Sequence, residues 1–256
     1  MIVRKSPEDL EKMRRSGLLV WKVLMELKSL IKEGVTTLEL ERFAEQMIRD
    51  AGAKPAFKGY FVPAVGATYP FVLCTSVNEE VVHGMPSAKR VLKSGDIVSI
   101  DTGVSLDGFF GDAALTFPVG EVEEKTARLL QVTRESLDLA IDQVRPGNRL
   151  MDVAGAVEKH VVSNGFSVVR DYVGHGIGTR LHEEPQIPNY VDRRSENPRL
   201  KEGMVLAIEP MVNAGRPETR VLADRWTAVT RDGACSAHFE HCVAVTKDGP
   251  WVLTRP

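Results

Sequence analysis

Ile97-Val-Ser-Ile-Asp101-Thr-Gly-Val-Ser-Leu-Asp107-Gly108-Phe-Phe-Gly-Asp112 decides how this chain folds. Ile97, Val98 and Ile100 read as a strand that runs into Asp101. Asp-Gly between two such runs is a hairpin signal, because the tight turn that suits twisted strands needs positive φ at its centre. A hairpin centred on Asp107-Gly108 brings Asp101 and Asp112 side by side. Two carboxylates held together repel unless one takes a proton or a cation sits between them. Two solvated turn aspartates would read the same over so short a range, so the rest of the chain has to decide.

The 256 residues are 43% apolar and 27% charged, ordinary for a soluble globular protein of one large domain or two small ones. A net charge of −2 gives no reason to expect DNA or a membrane as partner. Cys74, Cys235 and Cys242 are an odd set without paired spacing, which suits a reducing cytoplasmic compartment. The start carries no secretory pattern, and Lys22, Glu26 and Lys28 break the most apolar helical stretch.

Ser6-Pro7-Glu8-Asp9 starts a helix expected to reach Glu33, and Thr36-Thr37-Leu38-Glu39 is a capping box for a second ending near Gly52. Gly59 to Pro70 lacks period and reads as a long loop with short extended pieces; Phe71–Val77 reads as a strand. Glu121–Val144 is helical, and Asn148 can cap a further helix to about Ser163. Gly174–His182 reads as a Gly-rich turn, and Glu184–Lys201 as a polar loop. Strands are expected at Val205–Pro210, Trp226–Thr230 and His238–Val245.

The two halves resemble each other. Leu92-Lys-Ser-Gly-Asp-Ile-Val-Ser-Ile-Asp101 matches Leu200-Lys-Glu-Gly-Met-Val-Leu-Ala-Ile-Glu209. Each half has two helices before its strands and a His-Gly, at His83-Gly84 and His175-Gly176, and Glu240 is the counterpart of Asp112. An internal repeat of about 7–120 and 121–250 within a single catalytic domain, 1–256, is the expectation. Two such halves pack strands into one antiparallel sheet with helices outside, and equivalent acids converge across a pseudo-twofold axis.

That convergence gathers Asp101, Asp112, Glu209 and Glu240, with His175 as fifth candidate. Buried together without cations, four carboxylates would be strongly unstable. Two divalent ions would neutralise them, and oxygen-rich ligation with one imidazole points to Mn, Fe, Co or Zn. Paired ions of this kind polarise a carbonyl and activate water, the chemistry of amide hydrolysis. His241 lies on the opposite strand face from Glu240, His238 shares that face without other support, and His160 falls inside a helix.

At this point the residues resemble those of the type I methionine aminopeptidases of the bacterial, single-domain kind. The likeness rests on Ser76–Pro86, Gly95–Asp101, Asp107–Asp112, Gly174–Gly178 with His182, Ile208-Glu209-Pro210 and Phe239-Glu240-His241. It implies an α+β pita-bread fold: two pseudo-twofold-related halves, a curved antiparallel sheet, helices on the outer face. It implies metal ligands at Asp101, Asp112, His175, Glu209 and Glu240, Asp112 and Glu240 bridging two divalent ions, with a monovalent cation as a further candidate. His83 and His182 would contact substrate near the scissile nitrogen and the carbonyl oxygen, and Glu209 would shuttle a proton. Tyr69, Cys74 and Trp226 would wall the methionine pocket. Leu181 stands where many members carry an aromatic, and the Gly59–Pro70 loop is longer than the resemblance predicts.

The implied activity is removal of N-terminal methionine from nascent chains whose second residue is small. A cytoplasmic monomer with transient ribosome contact is implied. With Ile2 next to it, Met1 of this chain would be retained. Xaa-Pro peptidases of the same fold and a non-catalytic binding member are the alternatives. Prolidase-like chains usually carry an extra N-terminal domain, and a binding member should have lost ligands. Nucleotide binding at Gly174–Gly178 is disfavoured, because no helix follows.

Overall fold

The computed structural model describes residues 2–256; the expectation for Met1 lies outside them. Its helices are α1 (Pro7–Leu30), α2 (Thr37–Asp50), α3 (Glu124–Asp142) and α4 (Leu150–Ser163). Ser6 and Asp9 form a reciprocal capping box on α1, as Thr36 and Glu39 do on α2. Helix α1 stops at Leu30 rather than Glu33, because Ile31 turns extended while its N–H still bonds Leu27 O. Asn148 does not cap α4: its side chain donates to Gln143 O at 2.9 Å. Instead Asp152 accepts the Arg149 N–H at 2.7 Å, and Asn197 from a distant loop accepts the Met151 N–H at 3.0 Å.

The first-half strands are β1 (Lys54–Pro55), β2 (Phe61–Val62), β3 (Ala67–Thr68), β4 (Leu73–Val77), β5 (Glu80–Val82), β6 (Ile97–Leu106) and β7 (Phe109–Pro118). The second half carries β8 (Ser167–Val168), β9 (Gly174–Gly176), β10 (Glu183–Ile187), β11 (Val205–Ile208), β12 (Met211–Asn213), β13 (Thr219–Val221), β14 (Ala228–Thr230), β15 (Ser236–His238), β16 (His241–Thr246) and β17 (Gly249–Val252). The hairpin β6–β7 pairs from Ile97↔Pro118 to Leu106↔Phe109, around the expected Asp107-Gly108 turn. Asp107 and Gly108 both have positive φ, as that turn requires.

β4 lies on the other side of β6, giving the order β4-β6-β7; the second half repeats it as β9-β11-β16. The order corrects one correspondence. His175 sits on β9, the counterpart of β4, whereas His83 follows β5, so the two His-Gly pairs are not equivalent. Gly174–His182 is also not simply a turn. Its glycines let strands touch: a Cβ on Gly174 would lie 2.3 Å from Ala207 O, and one on Gly176 2.2 Å from Glu184 O. The expected polar loop opens with β10, an edge strand that tolerates Pro185 and alternates buried and exposed residues. Trp226 lies in the turn before β14.

All pairings are antiparallel, but the strands divide into separate hydrogen-bonded sheets rather than one continuous ladder. The halves meet along β7. Ala114 O accepts the Glu240 N–H at 2.8 Å, and Gly178 O accepts the Phe110 N–H at 2.8 Å. Thr116 Oγ1 donates to His238 O and accepts the His238 N–H. One buried cluster runs through both halves, from Leu24 on α1 through Ile100 and Leu115 to Val157 on α4 and Leu206 on β11. Helix α1 lies almost backbone to backbone on β7: a Cβ on Gly111 would come within 2.6 Å of Gly17 N.

Gly111→Ala should therefore lower the free energy of unfolding by about 1–3 kcal/mol through overpacking, read as a lower urea midpoint. Gly155→Ala on α4, whose added methyl meets only Val191 Cγ2 at 3.4 Å, should hold or raise it. Equal stability of Gly111→Ala and the parent protein would contradict the close approach of α1 to β7.

Candidate metal centre

A cavity of about 1080 Å³ opens between the halves, with Asp101, Asp112, His175, Glu209 and Glu240 all in its wall. Asp101 pairs with Ala114 and Asp112 with Gly103, so both carboxylates leave the same face of the hairpin, one diagonal step apart. Gly103 makes that possible: a Cβ there would lie 3.1 Å from Asp112 Oδ1 and 3.0 Å from Ala56 Cβ. Glu209 follows the last β11 residue and Glu240 precedes β16, just beyond the Ile208↔His241 pair. His175 enters from β9, paired with Ala207.

His175 Nε2 lies 3.9 Å from Asp112 Oδ2 and 3.8 Å from Glu209 Oε1. Ligand atoms of Asp112, His175 and Glu240 all fall within 4.8 Å of one another. Asp101 Oδ1, Asp112 Oδ1 and Glu240 Oε1 are buried without a hydrogen-bond partner. Burial pushes Asp112 up to about 7, and raises Asp101, Glu209 and Glu240 well above the carboxylate range, with neighbouring acids adding repulsion for these three. His175 Nδ1 lies 2.9 Å from Gly176 O, which can only accept, so the ring proton is on Nδ1 and the Nε2 lone pair faces the space among the acids. Burial and the nearby His182 pull His175 down to about 3, so the imidazole is neutral at pH 7. Orphaned carboxylate oxygens beside a neutral imidazole are the donor set that divalent cations satisfy.

The other wall carries the remaining residues singled out in the sequence. His83 has φ of 60°, held by Gly84, whose Cβ would lie 2.2 Å from Thr75 O. The His83 ring opens to the cavity and meets Tyr172 edge-on at 5.5 Å. The surrounding protein, with His182, pulls it down to about 4. His182 stands 4.4 Å from His175 between ring centroids, and its Nδ1 is 2.7 Å from the Tyr60 hydroxyl. Tyr69 packs edge-on against Trp226 at 5.1 Å and donates its hydroxyl to Leu73 O at 3.0 Å. Cys74 is the cross-strand partner of Asp101, and burial with that acid's charge raises its thiol, keeping it neutral.

Tyr60, Tyr172, Cys242 and His238 gave no usable sequence signal. His238 shared a strand face with Glu240, and the fold sets its buried Nε2 3.7 Å from Glu209 Oε2. Cys242 donates to Asp112 O from behind the acid. His241 turns away to Thr254 and Trp21, and His160 pairs with Glu135 on α3.

The sequence profile of metallopeptidase family M24 matches residues 11–247. The chain is 50% identical over 255 residues to methionine aminopeptidase 1 of Bacillus subtilis, covering 100% of both chains. The crystal structure of a methionine aminopeptidase from Thermotoga maritima superposes with a TM-score of 0.95 at 46% identity, with 100% of each chain covered. A prolidase from Pyrococcus horikoshii shares the fold at 23% identity and a TM-score of 0.79, and this chain covers only 64% of it.

The raised acids make a signed prediction for the metal-free protein. Above pH 7 the depressed histidines are neutral in both folded and unfolded chains, so they drop out. The acids are ionised when unfolded but still hold protons when folded, so stability falls as pH rises from 7 through their folded values. Thermal melts of chelator-treated protein should show this fall, and Mn2+ should remove it while stabilising by about 3 kcal/mol at a hundredfold excess over its dissociation constant. A flat profile without metal would show that the acids are not held together as described.

Proposed function

The chain belongs to metallopeptidase family M24, and from that premise we propose that it removes the N-terminal methionine from nascent proteins and peptides whose second residue is small. One observation carries the reading: Cys74, in an apolar pocket with Tyr69 and Trp226, is the cross-strand neighbour of Asp101 in the acid cluster. A thioether side chain seated there has its carbonyl beside the acids, and sulfur with aromatic edges suits methionine. The full-length likeness to methionine aminopeptidases supports the same substrate over an Xaa-Pro peptide.

Asp101, Asp112, His175, Glu209 and Glu240 would together hold two divalent ions; Co, Mn, Fe and Zn all suit this set. Bound there, such ions supply Lewis acidity to the scissile carbonyl and acidify a water. Glu209 would take a proton from the attacking water and return it to the leaving amine. The Tyr60 hydroxyl, 2.7 Å from His182 Nδ1, would hold the ring so that Nε2 meets charge developing on the carbonyl oxygen. His83, neutral and fixed by its unusual backbone, hydrogen-bonds the scissile amide.

Residues 1–256 act as one catalytic domain of two related halves, since the cavity takes residues from both. We take the enzyme to work as a cytoplasmic monomer on chains emerging from the ribosome. No helix among the described residues is long and apolar enough to cross a membrane, and its three cysteines are free.

The metal-loaded protein should release methionine from Met-Ala-Ser, lose that activity with chelator, and act at least about tenfold less well on Met-Leu. Preference for Xaa-Pro peptides would overturn the assignment. Asp112→Asn should lose activity and metal together. His83→Ala should lower kcat by about 10²–10⁴ while metal content stays near normal, and loss of metal would instead make His83 a ligand.

A further inference from the structure

The short extended pieces expected between Gly59 and Pro70 pair with each other into a hairpin. Strands β2 and β3 pair as Phe61↔Thr68 and Val62↔Ala67. Its base is closed by Gly59 N–H to Tyr69 O at 2.8 Å and Tyr69 N–H to Tyr60 O at 2.9 Å. Its tip is turned by Gly66 N–H to Val62 O at 2.9 Å. The two base tyrosines stand on the catalytic floor, Tyr60 against His182 and Tyr69 against Trp226. The tip, Val62 to Val65, forms part of the cavity wall at its mouth.

Val221 and Leu222 also line that cavity, and Val221 remains 51% exposed. Arg225, at φ 67°, donates to Val65 O at 3.2 Å and ties the tip to this turn. The turn itself is rigid, because Asp224 accepts the Trp226 and Thr227 N–H groups at 2.9 Å each. Pocket floor and hairpin tip are thus one braced unit.

The cavity, about 1080 Å³, is as large as sites that enclose a whole drug-sized ligand, roughly 300–1000 Å³. A methionine and one small residue leave its mouth free. A polypeptide whose N-terminus is held at the acids has to leave through that mouth, so the occupant of the apolar rim is the substrate's own continuation. We propose that Val62, Val65, Val221 and Leu222 form a subsite for the third and fourth residues of the substrate and favour apolar side chains there. This rests on the aminopeptidase reading above.

The test compares Met-Ala-Leu-Leu with Met-Ala-Ser-Ser on the metal-loaded enzyme. The leucine peptide should have the higher kcat/KM by about tenfold, the effect of covering one apolar side chain, and the difference should lie in KM. Val62→Ser combined with Val65→Ser should bring the ratio close to one, and Arg225→Ala, which frees the tip, should lower it. Equal kcat/KM values for the two peptides in the parent enzyme would overturn the subsite. So would a double variant that loses both peptides in the same proportion, since the hairpin would then act only through Tyr60 and His182. Failure to release methionine from Met-Ala-Ser would instead sink the parent reading, which keeps the two failures distinct.

Discussion

Four carboxylates in one dry space repel each other, and much of this fold is the frame that holds them against that repulsion. Left to itself, a buried acid moves to water or takes a proton. Neither Asp101 nor Asp112 can move, because a ladder of paired residues runs past both, from Ile97 to Pro118. Gly103 opposite Asp112 leaves room for its carboxylate, where a Cβ would crowd Oδ1 at 3.1 Å. In the second half, Glu209 and Glu240 sit where regular pairing between β11 and β16 has just ended. That break frees their backbones to turn inward while the ladder below keeps them in register.

The same constraint explains why the halves are joined so tightly along β7. Each half supplies two acids, so any slip between halves would separate Asp112 from Glu240. The Glu240 N–H bond to Ala114 O fixes that offset within two residues of Asp112. Thr116 adds a second tie, donating to and accepting from the His238 backbone. Helix α1 braces β7 from behind at a distance that Gly111 permits, while Gly17 on the helix makes room for the Leu253 carbonyl. Core packing here serves to hold register as well as to supply stability.

What could be read from the sequence follows from how local each cause is. The Asp107-Gly108 hairpin was legible because turn chemistry lies within two residues, and both take the positive φ expected. The capping boxes on α1 and α2 were legible for the same reason. The cap of α4 was not, since Asn197 reaches it from 46 positions away. The glycines of Gly174–Gly178 read as a turn, yet they are small because neighbouring chains touch them, a tertiary cause invisible in one strand. Likewise β2 and β3 are two residues each, too short for any alternation to register. The four acids are legible through the repeat, which pairs Asp101 with Glu209 and Asp112 with Glu240, whereas His175 has no true counterpart, since His83 follows β5 rather than lying on β4. Tyr60 and His238 have no repeat partner, and only the folded chain sets them beside His182 and Glu209.

One balance of charge ties these parts together. Burial favours neutral forms among the metal-site candidates, so the acids hold protons and His175 loses one. For His175 this is the useful state, since a neutral ring protonated on Nδ1 has a free lone pair on Nε2. For the acids it is the wrong one, since a ligand carboxylate must be ionised. A divalent cation reverses the second effect without disturbing the first, by supplying the opposite charge that burial removed. The carbonyl of Gly176 and the hydroxyl of Tyr60 fix which ring nitrogen faces the cavity, so the histidines are oriented before any ion arrives. The acids are fixed in position but not in charge. The protein sets the geometry, and the cation determines the protonation under which that geometry can work.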